Sequence, residues 1–311
     1  MNLRIIQNRN KFFIASGILV LTSIVILSVW SLNFGIDFTG GALMEVEITG
    51  EQQVTTQDLN YIISENLLFL EDFKVQPTED GFLVRTRDLS EQEHQNVLFV
   101  FRNPANKPDG WVEEINYEVV ERRFESIGPV IGEELKNKAL WAIAAALLVI
   151  IMFIAFAFRK VSKPVQSWKY GVGAIIALAH DILIVTGIFA TLGHFLIGFE
   201  VDILFVTALL TILGYSVNDT IVVYDRTREN LIYNPGQTFE DTVNKSVNET
   251  VARSINTGLT TLLVLLALYL LGGVTIRNFV LALMIGTVIG TYSSIFVASP
   301  LLVVWQKLEK K

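Results

Sequence analysis

The chain contains no cysteine, which excludes disulfide frameworks, cysteine-ligated metals and thiol nucleophiles. Histidine is nearly absent as well. His94, His180 and His194 are the only three, too few for a histidine-rich metal cluster. No Ser-His-Asp set or phosphate-binding loop is visible, so an enzyme is the least favoured reading. Charge is also scarce, at 18% of 311 residues, while 51% are hydrophobic. The mean hydropathy of +0.48 is too high for an ordinary soluble domain and fits a membrane protein with a soluble insert.

Apolar runs supply what the charges leave. A helix needs about 20 apolar residues to cross a bilayer. Six stretches meet that length: 12–32, 139–158, 171–192, 201–224, 254–271 and 279–305. The first follows Arg4, Arg9 and Lys11, as a signal peptide would. Its core is too long and lacks a small-x-small cleavage site, so it reads as an uncleaved first helix. Lys and Arg cluster in the N-terminal tail, around residues 159–169, in the 225–253 loop and in the C-terminal tail. Loop 193–200 has none, and loop 272–278 has only Arg277. By the positive-inside rule both termini are cytoplasmic and the 33–138 insert lies outside. The expected divisions are therefore 1–32 (tail and first span), 33–138 (outer domain), 139–305 (a five-helix bundle) and 306–311 (tail).

The insert holds 21 acidic and 9 basic residues, a net charge of −12, which argues against nucleic acid or anionic lipid as its ligand. ALMEVEI alternates as a half-buried strand should, and Leu59, Ile62, Ile63 and Leu67 have helical spacing. FKVQP and FLVRTR flank Glu79-Asp80-Gly81 and read as a hairpin. Ser90 and Glu93 form a capping-box pattern ahead of a second helix, and residues 115–129 read as a long last strand. Strand–helix–strand–strand–helix–strand predicts a ferredoxin-like α+β domain. His94 is expected to be a lone histidine on a helix surface. In front of the domain, GIDFTGG (Gly35, Asp37, Gly40 and Gly41) has the glycines of a tight turn.

The membrane segments carry charges that need an explanation. Asp219 lies inside the fourth span, and Arg253 lies near the start of the fifth. Each costs roughly 2.5–3.5 kcal/mol at the centre of a membrane helix, so it needs a partner or a water-filled path. Antiparallel helices put the two at similar depth, where each can serve as the other's partner. Glu249, Thr250, Asn256, Thr257 and Thr260 share the face of Arg253, and Ser216 shares that of Asp219. Two readings stay open: a coupled pair that handles protons, or a snorkelling Arg253 with Asp219 as a structural hydrogen-bonding group. His180 and Asp181, in the middle of the third span, add a weaker second candidate. Gly173, Ala177 and Asp181 form a small-residue face, and Gly286 and Gly290 a GxxxG that reads as tight packing. In the 225–253 loop, Pro235-Gly236 makes a turn, and Phe239, Val243, Val247 and Val251 recur every four residues. That stripe predicts an amphipathic helix on the cytoplasmic interface.

Several segments together resemble the SecD/SecF family of bacterial protein-export membrane proteins, within the resistance-nodulation-division superfamily. They are GIDFTGG, SIGPVIGEEL, ALAHD, LGYSVNDTIVVYDRTREN, SVNETVARSINTGLTT and GTYSSIFVASPLL, in that order along the chain. The resemblance implies a polytopic helical protein of the inner membrane that pairs with SecD. It further implies work beside the SecYEG channel on a translocating preprotein, with SecA, YidC and YajC as further partners. It gives Asp219 and Arg253 roles in proton conduction, with the proton as coupling ion and no bound cofactor or metal. The alternatives are a half-unit of a drug or lipid exporter of the same superfamily, and a non-transporting anchor. Six spans and one outer domain suit a half-unit, whereas an anchor has no evident use for the buried charges.

Overall fold

The computed structural model describes residues 3–50, 53–78, 81–108, 111, 117–158, 166–196, 198–233 and 237–309. It forms two compact units: Met1–Asn33 with Ala139–Lys311, and Phe34–Lys138. The first helix, α1 (Arg9–Trp30), belongs to the former unit.

The second unit begins with a single helical turn, α2 (Ile36–Thr39), inside the GIDFTGG segment. It continues as β1 (Gly41–Gly50), α3 (Thr56–Asn66), β2 (Phe73–Pro77), β3 (Phe82–Thr86), α4 (Glu91–Arg102) and β4 (Tyr117–Ile127). The sheet order is β2-β3-β1-β4, and all three pairings are antiparallel. This is the ferredoxin-like arrangement, set between the first and second spans. Both helices start on complete capping boxes, Thr55 with Asp58 and Ser90 with Glu93. Leu59, Ile62, Ile63 and Leu67 are all buried, against Met44, Val46, Val84, Val97 and Phe101. The β2–β3 hairpin forms, although Glu79 and Asp80 lie outside the described residues, as do 115 and 116 ahead of β4.

His94 differs from its expected place. It is buried, its Nε2 is 2.7 Å from a Glu121 oxygen, and its ring stacks on Phe124 at 3.6 Å. The neighbouring strand β4 supplies both partners, so helix spacing alone could not reveal them. The glycines of GIDFTGG are used more specifically than in a plain turn. Gly40 (φ 71°) and Gly41 (φ 119°) take left-handed backbone, and a Cβ on Gly40 would stand 2.7 Å from the Pro129 Cα. A Cβ on Gly132 would lie 2.9 Å from the Gly40 nitrogen, so GIDFTGG and GPVIG fit against each other backbone to backbone.

The remaining helices are α5 (Pro129–Ala157), α6 (Ser167–Phe195), α7 (Ile203–Tyr233), α8 (Phe239–Leu271), α9 (Val274–Ser293) and α10 (Ser299–Glu309). A π-helical turn, Ser294–Ala298, joins α9 to α10 within the last span. Among the described residues, six helices are long and apolar enough to cross a membrane. In α6, α7 and the last span 56%, 50% and 50% of the apolar stretch is buried, against 11% in α1 and α5 and 17% in α8. The first three therefore form the centre of this bundle. Glycine lets the last span pack tightly on α7, the tight packing that the sequence suggested: a Cβ on Gly286 would lie 2.2 Å from Ile212 Cδ1, and one on Gly290 2.9 Å from Ser216 Cβ. On the other side of α6, Gly187 admits Ser23 of α1.

The 225–253 segment corrects the expectation of an interfacial helix. α7 runs on to Tyr233 and α8 starts at Phe239, so the loop consists mostly of extensions of two spans; Pro235 and Gly236 lie outside the described residues. Phe239, Val243 and Val247 enter a protein core with Ile5, Ile6, Val223 and Tyr224 rather than a lipid surface. The N-terminal tail closes that core. Leu3 donates its N–H to Asn248 (2.6 Å) and accepts from its amide (2.8 Å), while Ile6 donates to Asn244. Glu240 binds both Arg9 (2.8 Å) and Lys307 (2.5 Å), joining three chain segments.

Candidate functional site

The centre of the bundle holds two acids, each gripped by serines. Asp219 on α7 is buried; its Oδ1 accepts from Ser254 Oγ of α8 (2.6 Å) and its Oδ2 from Ser294 Oγ (2.9 Å). Asp181 on α6 is fully buried, and its Oδ2 accepts from Ser216 Oγ (2.6 Å) and Ser293 Oγ (2.8 Å). Its Oδ1 lies 2.9 Å from His180 Nδ1. Ser216 stands nearly one helical turn before Asp219 on α7, so a single face of that helix serves both acids.

The π-helical turn places the two donors that adjacent residues supply. Ser293 ends α9 and binds Asp181; Ser294 opens the turn and binds Asp219. Such a turn loosens the regular ladder of helical hydrogen bonds, and it recurs at functional sites. Here side chains take up two of its carbonyls: Ser299 Oγ donates to Ser294 O (2.8 Å) and Tyr224 OH to Ala298 O (3.2 Å).

The expected Asp219–Arg253 pair is not formed. Arg253 is exposed on the outer side of α8, and Asp219 has no cationic partner among the described residues. Ser254, the next residue along, faces inward in its place, because neighbours on a helix point about 100° apart. The polar stripe divides in the same way. Thr250, Ser254 and Gly258 are buried, while Arg253, Asn256, Thr257 and Thr260 are exposed. Glu249 instead meets Arg226 (2.6 Å) and Asn230 (2.8 Å), tying α8 to α7. Of the turn motif, Gly40 and Gly41 are structural, Gly35 caps α2 and Asp37 lies in its first turn.

Chemically, this is an acid that can change charge without leaving a buried group unsatisfied. A serine hydroxyl carries one proton, so it donates to one acceptor at a time. Ser294 Oγ has two within reach, Asp219 Oδ2 at 2.9 Å and Thr291 O at 3.0 Å. It can donate to the carboxylate, or turn to the backbone and accept from the carboxylic acid. Ser254 and Ser293 are not among the residues that the sequence pattern singles out. Their signal was hydroxyl residues at membrane depth beside the candidate ion pair, in VARSIN and TYSSIF.

Six apolar helices, a ferredoxin-like domain between the first two and buried acids held by hydroxyls define a polytopic membrane protein of the transport class. The family model for "Protein export membrane protein SecD/SecF, C-terminal" matches residues 110–308, and that for the "SecD/SecF GG Motif" matches 32–50. The chain belongs to the SecD/SecF family. It is 44% identical to the protein translocase subunit SecF of Thermobaculum terrenum, over 97% of this chain and 93% of that one. To the same subunit of Anaerolinea thermophila it is 37% identical, over 99% and 95%. Among solved structures it matches SecDF of Thermus thermophilus, described as a translocon-associated membrane protein, with TM-score 0.81 and 32% identity. SecDF in a super-membrane-facing form matches with TM-score 0.68 and 33% identity. The chain spans 39% of the length of each of these SecDF chains, which cover 99% and 100% of it.

Proposed function

We propose that this chain is one half of a proton-driven unit that helps complete the export of precursor proteins. A SecD-type subunit supplies the other half, and the unit works beside the SecYEG channel in the bacterial inner membrane. SecA, YidC and YajC belong to the same machinery as further partners. Both termini face the cytoplasm, and the acidic 34–138 unit faces outward, in keeping with the distribution of Lys and Arg. The proton is the coupling ion, and no chemical catalysis or bound cofactor is involved.

The observation that carries this reading is Asp219: a buried carboxyl held by two hydroxyls, one of them on a π-helical turn. A carboxylate with no cation beside it gains most from binding a proton. Protonation turns a strong acceptor into a donor, Ser294 turns toward Thr291 O, and the turn relaxes. Alternating exposure of Asp219 to the two sides of the membrane converts proton flow into helix movement. The outward stripe of α8 supports the half-unit reading. Arg253, Asn256, Thr257 and Thr260 are costly against lipid and suit a polar face on the partner subunit. Arg253 thereby contributes to proton coupling across the partner interface rather than as the mate of Asp219.

The test is precursor export into vesicles that contain this chain, its SecD-type partner and the channel. Asp219→Asn should abolish the part of export that depends on the proton gradient and leave the ATP-driven part intact. Gradient-stimulated export at the wild-type level, with assembly normal, would sink the proposal.

A further inference from the structure

We propose that His180 and Asp181 form a second proton-binding site of the bundle, tied to Asp219 through the adjacent serines Ser293 and Ser294. Its purpose rests on the proton-coupling reading of Asp219, but its chemistry stands on its own geometry.

Asp181 is 0% exposed and has three partners, His180, Ser216 and Ser293. An ionised carboxylate only accepts, so in that state His180 carries its proton on Nδ1. That leaves Nε2 as the free acceptor. It is buried and has no hydrogen-bond partner, although such atoms are rarely left unpaired. The ring lies beside Tyr292, with centroids 6.2 Å apart, and Tyr292 in turn reaches Ser16 of α1 at 3.1 Å. Of the titratable groups on the surrounding helices, Asp219, Tyr215 and Tyr224 of α7 and Tyr292 of α9 lie within the spans, while Asp225, Arg226, Arg228, Glu229 and Tyr233 lie toward the end of α7, Arg277 near the start of α9, and Lys307 and Glu309 at the end of α10. α1 has charges only at its start, Arg9 and Lys11. Among the described residues no Lys or Arg pairs with Asp181, so His180 is the one cationic group it contacts.

An arriving proton binds at Nε2, and the Nδ1 proton passes to Asp181 Oδ1. His180 ends neutral in its other tautomer and Asp181 ends as the neutral acid, with one positive charge gained overall. Release reverses both transfers, and nothing is oxidised or reduced. Histidine suits this shuttle because its two ring nitrogens exchange donor and acceptor roles.

The link to Asp219 is the repeated hydroxyl choice. Ser293 Oγ reaches Asp181 Oδ2 at 2.8 Å and Gly290 O at 3.2 Å. Ser294 makes the same choice between Asp219 and Thr291 O. The residues are covalent neighbours at the junction of α9 with the π-helical turn, so a shift in one displaces the other. The two acids then titrate as a coupled pair, each with a midpoint that depends on the other.

Infrared difference titration of the full chain in lipid vesicles reads protonated carboxyls directly. Besides the signal of the exposed carboxyls, wild type should show two pH-dependent bands, one from each buried acid. Asp181→Asn removes one and moves the titration midpoint of the other; Asp219→Asn does the converse. Ser293→Ala keeps both bands and abolishes that mutual dependence. His180→Gln should slow the response of the Asp181 band to a pH jump at least tenfold. If Asp181→Asn does not fold, Asp181→Glu assigns the band by displacing it. A band for Asp181 that ignores pH, or that titrates identically with and without Asp219, would overturn the proposal. The Asp219 band is read separately, so failure of the first site is distinguishable from failure of the second.

Discussion

Replacing Ser254 with alanine tests which group holds Asp219. Ser254 Oγ lies 2.6 Å from Asp219 Oδ1, and the residue is 1% exposed. A hydrogen bond to a charged acceptor contributes about 1.5–3 kcal/mol. Alanine returns about 0.5 kcal/mol through its higher helix propensity. The net loss in Ser254→Ala should therefore be about 1–2.5 kcal/mol. Arg253→Ala removes an exposed side chain from the isolated chain and should stay within about 0.5 kcal/mol. Equilibrium unfolding of the purified chain in mixed micelles gives both numbers. A double-mutant cycle with Asp219→Asn should return a coupling of about 0.5–3 kcal/mol for Ser254 and close to none for Arg253. If Arg253→Ala costs more than Ser254→Ala in the isolated chain, the assignment of the serine is refuted.

Other outcomes follow from the same geometry. Gly286→Ala places a Cβ 2.2 Å from Ile212 Cδ1 and should cost about 1–3 kcal/mol, partly rescued by Ile212→Val; thermal unfolding checks it. In the ferredoxin-like domain, the Glu93 carboxyl is pulled down to about 2 from 4.5 by hydrogen bonds from Arg87 first and then Ser90. A depressed carboxyl stabilises the fold above its unfolded value and loses that contribution as pH falls toward 2. Amide exchange at the start of α4 should therefore stay slow at mildly acid pH and become fast there in Glu93→Gln. On the outward side of α8, Arg253→Leu and Thr257→Leu should leave the isolated chain stable but weaken its co-purification with a SecD-type subunit. Unchanged co-purification would mean that another face meets the partner.

Much of the architecture was legible because it depends on local pattern. The apolar runs gave the spans. Alternation in ALMEVEI and the spacing of Leu59, Ile62, Ile63 and Leu67 gave the ferredoxin-like domain its strands and helices. Gly286 and Gly290 read as tight packing, and the structure adds that the helix they admit is α7. Elements were misplaced where tertiary contacts decide. The stripe Phe239, Val243, Val247 suits a membrane surface as well as a protein core, and only the folded N-terminal tail settles which. His94 lies on a helix that sequence reads as surface, yet Glu121 and Phe124, which bury it, come from β4, which lies beside the helix in space but further along the chain.

The site was legible in its acids but not in what holds them. Opposite charges on successive spans invite pairing, yet a one-residue step around α8 turns Ser254 inward and Arg253 out. The π-helical turn has no clear sequence signature. Without it, Ser293 and Ser294 give no sign that they divide between two acids.

The most direct test of the central claim is proton flux through vesicles that contain this chain with its SecD-type partner. If Asp219 binds and releases the coupling proton, Asp219→Asn should remove the flux while leaving the assembled complex intact. Flux at the wild-type level in an intact Asp219→Asn complex would contradict the account.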